Sequence, residues 1–365
     1  MKSEHGGNIN KIARKYNLNK DEIIDFSSNI NFLGPPDFIK NAIKNNLDQI
    51  KNYPEPQAAG LKELIADKHN LKREEVLIGN GAVEILYQLT KVIKPNKSLI
   101  LEPTFSEYEL ASRAAGAEVH NILLAESGDF ELTETVLAEL ITRLADMDIL
   151  FLCNPNNPTG KIIAREKLNK ILREASQTDT FVVIDEAFID FLDNHQDITV
   201  IKAINSLDNI LILRSLTKIY GIPGLRLGYA LTNKEVVKNI ENSRDPWSVN
   251  YFAQLACQQI FSQTKNADIY LKRTLERLNQ EKEFLYNSLN KLEGIKVYYP
   301  TANYIFIKIK DAGLTSEELT DTLAKDGVMI RDCNNYTGLN DNYIRIAVKS
   351  RKANKILLDK LAKIL

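Results

Sequence analysis

The sequence has few cysteines and no long apolar run. Its three cysteines, Cys153, Cys257 and Cys333, are far apart and form no Cys-x-x-Cys pair. Neither a disulfide framework nor a zinc site is therefore indicated. No apolar stretch reaches the ~18 residues that a membrane helix needs, and the polar N-terminal segment is not typical of a signal peptide. We expect a cytoplasmic protein of a reducing compartment.

The sequence also lacks an excess of either charge. Its 47 Lys and Arg residues and 48 Asp and Glu residues leave a formal net charge of −1. This balance removes the general electrostatic argument for binding nucleic acid or an acidic membrane. Apolar residues make up 44% of the 365 positions, which is typical of a globular protein that can bury a core without metal or disulfide.

The middle of the chain alternates short apolar runs with helical patterns. The runs are mostly continuous and rich in branched residues, as in strands buried on both faces. They cover residues 98–102, 119–123, 149–154, 181–185, 210–214 and 225–231. Between them, stretches such as 165–175 repeat apolar residues with a helical period. The alternation predicts an α/β fold with a mainly parallel sheet, either open or closed into a barrel.

The pattern changes near residue 245, where we predict a domain boundary. A long helical segment over 251–292 is followed by strand patterns at 296–299, 303–308, 328–331 and 343–348. We therefore predict a large domain over 26–245 and a small α+β domain over 246–365. Residues 1–25 are polar and are predicted to form an arm that lies against the small domain and a partner subunit, because such a segment needs a partner surface to become ordered.

Two of four notable segments lie at the ends of predicted strands. The sequence Asn-Pro-Asn-Asn-Pro-Thr-Gly at 154–160 predicts a tight turn at the edge where open α/β sheets bind ligands. A plain strand-to-helix turn would explain it as well. Asp185 and Glu186 end a strongly apolar strand. A carboxylate there could neutralise a bound cation or cap a helix.

The other two segments suit an aldehyde and a phosphate. Lys218 follows Ser215 and Thr217 and precedes Arg226. An amine near other cations has a lowered pKa, which favours Schiff-base formation, while hydroxyls and arginine suit a phosphate. The glycine-rich segment 79–81 precedes a helical stretch and could offer N–H groups to an anion, although alone it is more typical of a simple turn. Together the four segments indicate pyridoxal 5′-phosphate (PLP), a phosphorylated aldehyde with a cationic ring nitrogen.

The order and spacing of these motifs resemble the fold-type I PLP-dependent family, and within it the histidinol-phosphate aminotransferase-like group. The resemblance extends from Asp-Phe-Ser-Ser-Asn-Ile-Asn at 25–31 to Tyr-Ile-Arg at 343–345. His-Gly-Gly-Asn at 5–8 and Asp-Glu-Ala-Phe-Ile-Asp at 185–190 are similar to the threonine-phosphate decarboxylase branch, which serves cobalamin biosynthesis. The family implies a large domain with a mostly parallel seven-stranded sheet between helices, a small α+β domain, and a homodimer with a shared active site.

The resemblance also implies roles around PLP for individual residues. Lys218 would form the Schiff base, and Asp185 would pair with the ring nitrogen. Asn157 would donate to the ring oxygen, and Tyr108 would stack on the ring, with Phe105 as the nearest competitor for that place. The cofactor phosphate would be bound by Gly81, Ala82, Val83, Ser215, Thr217 and Arg226, and by Tyr53 of the other subunit.

A small phosphorylated amino acid is the substrate that the same resemblance implies. Arg345 would bind its α-carboxylate, because a planar guanidinium matches a carboxylate in a bidentate manner. Arg331 and His5 would hold its phosphate, which has nearly two negative charges. The implied substrate-binding residues also include Gly6, Ile30 and Asn157.

Three activities remain open from the sequence. We favour decarboxylation of L-threonine O-3-phosphate to (R)-1-amino-2-propanol O-2-phosphate. Decarboxylation of O-phospho-L-serine is the second. The two substrates differ by one methyl group, which changes the binding free energy in a pocket by only ~1–3 kcal/mol. Histidinol-phosphate aminotransferase is the third. Phe188 stands where those aminotransferases have a tyrosine that bonds the ring oxygen, which favours a decarboxylase, although simple packing would also explain Phe188. The intact set of Lys218, Asp185 and Arg345 argues against an inactive PLP-binding protein.

Overall fold

The computed structural model describes residues 5–310 and 313–365, so residues 1–4 of the predicted arm and 311–312 of the predicted small domain lie outside it. The strands are β1 (Ile24–Asp25), β2 (Val76–Asn80), β3 (Lys97–Glu102), β4 (Glu118–Leu123), β5 (Ile149–Cys153), β6 (Phe181–Asp185), β7 (Ile210–Ser215), β8 (Leu227–Thr232), β9 (Ile295–Val297), β10 (Tyr304–Ile309), β11 (Val328–Met329), β12 (Arg331–Asp332) and β13 (Tyr343–Ala347). The helices are α1 (Ile9–Tyr16), α2 (Asp37–Asn45), α3 (Ala59–His69), α4 (Ala82–Ile93), α5 (Glu107–Ala114), α6 (Glu134–Leu144), α7 (Arg165–Gln177), α8 (His195–Ile198), α9 (Leu216–Ile219), α10 (Lys234–Ser243), α11 (Tyr251–Ser262), α12 (Thr264–Leu289), α13 (Ser316–Lys325) and α14 (Arg351–Ile364).

A seven-stranded open sheet has the order β2-β8-β7-β6-β5-β3-β4. Strands β4, β3, β5, β6 and β7 pair in parallel, while β8 is antiparallel to both of its neighbours. Along β5, Leu150 and Leu152 face one apolar cluster, and Ile149 and Phe151 face another. Apolar layers on both faces explain why the strand sequences are continuously hydrophobic. The predicted mostly parallel seven-stranded sheet is confirmed.

Two predicted elements differ from the structure. The segment before the glycines is a strand, β2, which the sequence analysis did not recognise. Residues 79–81 are thus the end of this strand and the turn into α4 rather than an extended loop. The helical segment predicted over 251–292 is two helices, α11 and α12, with Gln263 between them. A change of direction between two amphipathic helices leaves no clear signal when the apolar pattern continues through it.

A second, four-stranded sheet lies in the C-terminal part of the chain, with the order β12-β13-β10-β9 and antiparallel pairing throughout. The short strand β1 pairs in parallel with β11, so the segment around residue 25 lies with the C-terminal elements. Helix α12 packs against α14, whereas α11 packs against α2 and α3. The domain boundary near residue 245 stays a prediction.

The predicted arm contains helix α1, which packs against α13 of the same chain. Lys15 Nζ donates to Asp321 Oδ1 at 2.6 Å, and the Tyr16 hydroxyl donates to the same carboxylate. This part of the arm therefore has a docking surface within the chain, and its contact with a partner subunit stays a prediction. Among residues 5–310 and 313–365, no helix is both long and apolar enough to cross a membrane.

Candidate active site

A cavity of ≈ 400 Å³ lies at the carboxyl ends of β5, β6 and β7, where Cys153, Asp185 and Ser215 reach it. This is the edge at which parallel strands of an open sheet present ligand-binding groups. Residues of the N-terminal arm and of the second sheet complete its walls. The predicted site residues that line it are His5, Gly6, Gly81, Ala82, Val83, Asn157, Asp185, Ser215, Thr217, Lys218, Arg226, Arg331 and Arg345.

Lys218 lies in the short helix α9, directly after β7. Burial in the site and the positive charges of Arg226 and Arg345 lower the pKa of its amine to about 8, while Asp185 acts in the opposite direction. The neutral amine is the form that attacks an aldehyde. Lys218 is therefore suited to Schiff-base formation close to neutral pH.

Asp185 presents a buried carboxylate at the end of β6. Its Oδ1 accepts a hydrogen bond from the backbone N–H of Ala187 at 2.9 Å, and its Oδ2 accepts one from the Tyr108 hydroxyl at 2.7 Å. Burial raises the pKa of Asp185, and the bond from Tyr108 opposes that rise. Among the described residues it forms no salt bridge. An unpaired buried carboxylate fits a cationic group of a ligand.

The neighbouring carboxylate, Glu186, has a structural role instead. It is fully buried and pairs at 2.8 Å with Arg214, which also pairs with Asp190 at 3.0 Å. Side chains of successive residues leave a strand on opposite faces, so Asp185 faces the cavity and Glu186 faces away from it. The strand-end pattern does not distinguish the two carboxylates, whereas the family resemblance selects Asp185, and Asp185 is the one that lines the cavity.

An anion cradle lies where β2 turns into α4. Gly81 has φ +79°, and a Cβ there would lie 2.7 Å from Arg226 Nη2. Ala82 and Val83 begin the 12-residue helix α4, where N–H groups have no partner within the helix. The hydroxyls of Ser215 and Thr217, 2.8 Å apart, line the same cavity. Backbone N–H groups, two hydroxyls and a guanidinium together suit a phosphate.

Arg345 and Asn157 meet on another wall of the cavity. Arg345 Nη1 donates to Asn157 Oδ1, and Arg345 Nη2 donates to the Ser27 carbonyl oxygen at 2.6 Å. Because the Asn157 oxygen is engaged, its NH₂ group is the part that can donate to a ligand. The Arg345 Nε is buried and has no hydrogen-bond partner within the described part of the chain. Arg345 can therefore still donate to a carboxylate.

The other asparagines of the 154–160 turn hold the loop together. Asn154 exchanges hydrogen bonds with the backbone of Ile163. Asn156 accepts from Thr104 at 2.7 Å and donates to the Pro103 carbonyl oxygen at 2.8 Å. Of the three asparagines, only Asn157 lines the cavity. The motif alone does not show which of its three asparagines faces a ligand.

Arg331 and His5 approach the cavity from different parts of the chain. Arg331 Nη2 donates to Asn335 Oδ1 at 2.8 Å, and its guanidinium lies 5.2 Å from the centre of the Tyr336 ring. His5 Nε2 lies 2.6 Å from Glu107 Oε1. The arm passes so close to the chain at Gly6 that a Cβ there would lie 2.2 Å from the Ser27 carbonyl oxygen. Only glycine is compatible with this path.

Tyr108 lies behind Asp185 and not in the wall of the cavity, where the predicted stacking on a ring would place it. Its side chain is fully buried, its ring stacks on Phe151 at 5.4 Å between centroids, and its hydroxyl is bonded to Asp185. Phe105 lines the cavity, whereas Tyr108 does not. Phe105 is thus the aromatic side chain that can stack on a planar ligand, and Tyr108 acts through Asp185. The two lie three residues apart around one helix start, so their positions were not separable by spacing.

Two further predicted residues lie away from the cavity in the single chain. Ile30 is half-buried, and its neighbours Ser28 and Asn29 line the cavity in its place. Tyr53 is 81% exposed and lies against Trp247, with 5.1 Å between ring centroids. A role for Tyr53 at the active site therefore requires a second subunit.

Several residues of the cavity have no predicted role in the site. Glu107 and Tyr336 line it, and Asn335 orients Arg331 from the same loop as Tyr336. A glutamate at the first position of a helix has an ordinary explanation in the helix dipole, so Glu107 gave no distinct signal. Phe188 also lines the cavity, and its ring meets Tyr304 edge-on at 5.1 Å. Within the described residues, no group of His, Cys, Asp or Glu could hold a metal ion.

Comparison with known proteins shows the family to which the chain belongs. The family model for aminotransferase class I and II matches residues 21–361. The threonine-phosphate decarboxylase of Salmonella typhimurium strain LT2 is 35% identical over 364 residues, covering 100% of this chain and 97% of that protein. The chain belongs to the aminotransferase class I and II family, and it has the fold-type I architecture of PLP-dependent enzymes.

Solved structures from two branches resemble this chain. The histidinol-phosphate aminotransferase from Clostridium acetobutylicum has a TM-score of 0.84 and 31% identity, covering 93% of this chain and 98% of that one. The L-threonine-O-3-phosphate decarboxylase from Porphyromonas gingivalis has a TM-score of 0.80 and 27% identity, with the same coverage. Both comparisons extend over nearly the whole chain, so the fold does not distinguish the two activities.

The lowered pKa of Lys218 predicts unusual reactivity toward a small aldehyde. In the ligand-free protein, the initial rate of reductive methylation at Lys218 should rise through pH 8 and level off near pH 9, because the amine becomes neutral as the pH passes about 8. An ordinary lysine titrates near ~10.4. Peptide mass spectrometry after brief treatment with formaldehyde and cyanoborohydride would measure the rate. The exposed Lys234 provides the comparison, and identical pH profiles at the two lysines would contradict the prediction.

Proposed function

We propose that this protein is a PLP-dependent decarboxylase of L-threonine O-3-phosphate. The principal support is that the cavity has separate groups for three anions. The α4 start, Ser215, Thr217 and Arg226 suit one phosphate, Arg345 suits a carboxylate, and Arg331 with His5 suits a second phosphate. A cofactor phosphate and a substrate with a carboxylate and a phosphate would use all three. The relative from Salmonella typhimurium, similar over the whole chain, is named for this activity.

The cavity residues fit PLP in particular. The unpaired buried Asp185 suits a pyridinium nitrogen, the NH₂ group of Asn157 can donate to the ring oxygen, and Phe105 can stack on the ring. Glycine at position 81 allows the Arg226 guanidinium to lie close to the start of α4, because a Cβ there would lie 2.7 Å from Arg226 Nη2. When bound, PLP supplies an aldehyde for Schiff-base formation and an electron-poor ring that accepts the electron pair of a bond broken at Cα.

The remaining chemistry depends on how the chain orients the substrate. Arg345 holds the carboxylate and Arg331 holds the phosphate, so two ends of the substrate are fixed and the rotation about Cα is restricted. Binding energy from the distant phosphate is then used to orient the bond that breaks. Lys218 would hold PLP before the substrate binds, and its amine, which lines the same cavity, could afterwards return a proton to Cα as a general acid.

Two alternatives use the same cavity. Histidinol-phosphate aminotransferase is supported by the similar Clostridium acetobutylicum structure, but Phe188 has no hydroxyl to offer a ring oxygen, which weakens that alternative. O-phospho-L-serine would satisfy the same three groups of anion ligands as O-phospho-L-threonine. The proposal extends to a place in cobalamin biosynthesis and to a cytoplasmic location.

A homodimer with a shared site is part of the proposal. The side chains of Leu47, Ile50, Tyr53 and Trp247 are 44–81% exposed. A group of large exposed apolar side chains is typical of a protein interface. Tyr53, which lies outside the cavity of its own chain, could reach the cofactor phosphate of a second copy.

The decisive assay uses pure protein, PLP and O-phospho-L-threonine without any 2-oxo acid. We expect release of carbon dioxide and formation of 1-amino-2-propanol phosphate, and we expect Lys218→Ala to abolish both, because Schiff-base exchange and proton return depend on its amine. O-phospho-L-serine and histidinol phosphate are tested in parallel. Amine transfer that requires 2-oxoglutarate, with no carbon dioxide, would instead establish the aminotransferase.

Arg331→Ala should reduce kcat/KM for O-phospho-L-threonine by ~10- to 100-fold or more, because a charge-assisted bond to phosphate is typically worth ~1.5–3 kcal/mol. The residual rate with unphosphorylated threonine and the affinity for PLP should hardly change. Arg113→Ala removes an exposed arginine outside the cavity and is the matched control. Equal losses with the two substrates would show that Arg331 does not bind the phosphate.

A hybrid dimer would test whether Tyr53 acts across subunits. One subunit carries Lys218→Ala and the other carries Tyr53→Phe, and differently tagged copies allow the hybrid to be isolated. If Tyr53 acts in trans, the intact Lys218 site receives an unaltered Tyr53 from its partner and binds PLP with wild-type affinity. The Tyr53→Phe homodimer should bind PLP about tenfold more weakly, as expected for one lost bond to a charged phosphate. An active monomer, or a hybrid as weak as the Tyr53→Phe homodimer, would refute the shared site.

A further inference from the structure

Glu107 is an unexpected residue for a cavity that suits three anions. It is the first residue of α5 and lines the cavity. Besides Asp185, it is the only acidic residue among the described lining residues, which include four arginine or lysine side chains. A carboxylate near a bound phosphate weakens binding through repulsion. Its presence therefore calls for a compensating contribution.

Both oxygens of Glu107 are engaged by donors. Oε1 lies 2.6 Å from His5 Nε2, and Oε2 accepts a hydrogen bond from the Tyr87 hydroxyl at 2.8 Å. The bond from His5 is the largest cause of a lowered pKa for Glu107, followed by the opposing effect of burial and the bond from Tyr87. Glu107 is thus ionised at neutral pH and held in place by α4 through Tyr87.

An ionised carboxylate can only accept hydrogen bonds, so Nε2 of His5 must carry the hydrogen. The contact fixes the ring in the tautomer and orientation in which Nε2 faces Glu107. Any hydrogen bond from His5 to an anion in the cavity must then come from Nδ1, and it requires the imidazolium form of His5, in which both ring nitrogens carry a hydrogen. The same kind of pairing, a carboxylate on one ring nitrogen and a ligand on the other, is common at functional histidines.

The contact also connects the arm to helix α5, whose first residue, Glu107, lines the cavity. Near His5, the Gly7 backbone N–H donates to Ser27 Oγ at 2.8 Å. Farther along, Lys15 and Tyr16 attach the arm to Asp321 on α13. The His5–Glu107 pair attaches the beginning of the described arm to α5. The side chain of Glu107 is 10% exposed and that of His5 is 47% exposed, so the pair lies at the mouth of the cavity.

We propose that Glu107 is a positioning residue that presents His5 to the phosphate of the substrate. It holds the arm across the mouth of the cavity and keeps Nδ1 as the nitrogen that contacts the ligand. The inference rests on the proposed function, because it takes the second phosphate site to belong to the substrate. The repulsion between Glu107 and that phosphate is offset by the histidine that Glu107 holds.

Kinetics of the holoenzyme would test the role. Glu107→Gln should raise KM for O-phospho-L-threonine about tenfold, while kcat changes less than about twofold and the residual rate with threonine is unaltered. Adding Glu107→Gln to His5→Ala should cause no further loss, because the favourable effect of Glu107 on phosphate binding is exerted through His5. Glu109→Gln is the matched control on the same helix, since Glu109 pairs with Arg113 outside the cavity. Additive losses in the double variant would overturn the inference.

The tautomer of His5 provides a readout without substrate. The chain has 4 histidines, so ¹⁵N-histidine spectra of the holoenzyme can be assigned by the signal lost in His5→Ala. At alkaline pH, wild type should show the neutral ring with hydrogen on Nε2. Glu107→Gln should mix the tautomers, because an amide can donate as well as accept. An unchanged tautomer would overturn the inference, whereas a wild-type enzyme that gives the expected spectra but does not turn over O-phospho-L-threonine would overturn the proposed function.

Discussion

The hydrogen bonds of Arg345 join three distant parts of the chain at the cavity. Arg345 lies in β13, Asn157 lies in the turn after β5, and Ser27 lies in the segment that follows β1. A buried guanidinium is costly unless its N–H groups are bonded, so these bonds favour the observed relative position of the second sheet, the large sheet and the N-terminal segment. The orientation of the Asn157 amide and the path of the arm past Ser27 both follow from that contact.

Basic side chains outnumber acidic ones in the cavity. Among the described residues, four Lys and Arg side chains line it, together with the two carboxylates of Asp185 and Glu107. Crowding of positive charge explains part of the lowered pKa of Lys218, and it favours anionic ligands. Asp185 and Glu107 differ in their partners. Among the described residues Asp185 forms no salt bridge, whereas Glu107 is paired with His5 and Tyr87.

The aromatic side chains near Asp185 differ in whether they reach the cavity. Phe105 and Phe188 line the cavity, while Tyr108 lies behind Asp185 and stacks on Phe151 of the sheet. Burial raises the pKa of Tyr108 well above its usual range, so its hydroxyl remains a donor to Asp185. Tyr108 thus orients the carboxylate, and the surface offered to a planar ring is that of Phe105.

Features that depend on local order can be read from the sequence. Continuous apolar runs predict most strands of the large sheet because both faces of that sheet are buried. The motifs at strand ends predict that Lys218, Asp185 and Asn157 lie at one cavity, because parallel strands bring their carboxyl ends to one edge. Other features depend on contacts between distant segments and are visible only in the tertiary structure. These are the position of Phe105 rather than Tyr108 in the cavity wall, the position of Ile30 outside the cavity, and the pairing of His5 with Glu107. Those positions are set by side-chain packing and by hydrogen bonds between residues 102 apart in the chain, for which no periodicity or spacing in the sequence provides a signal.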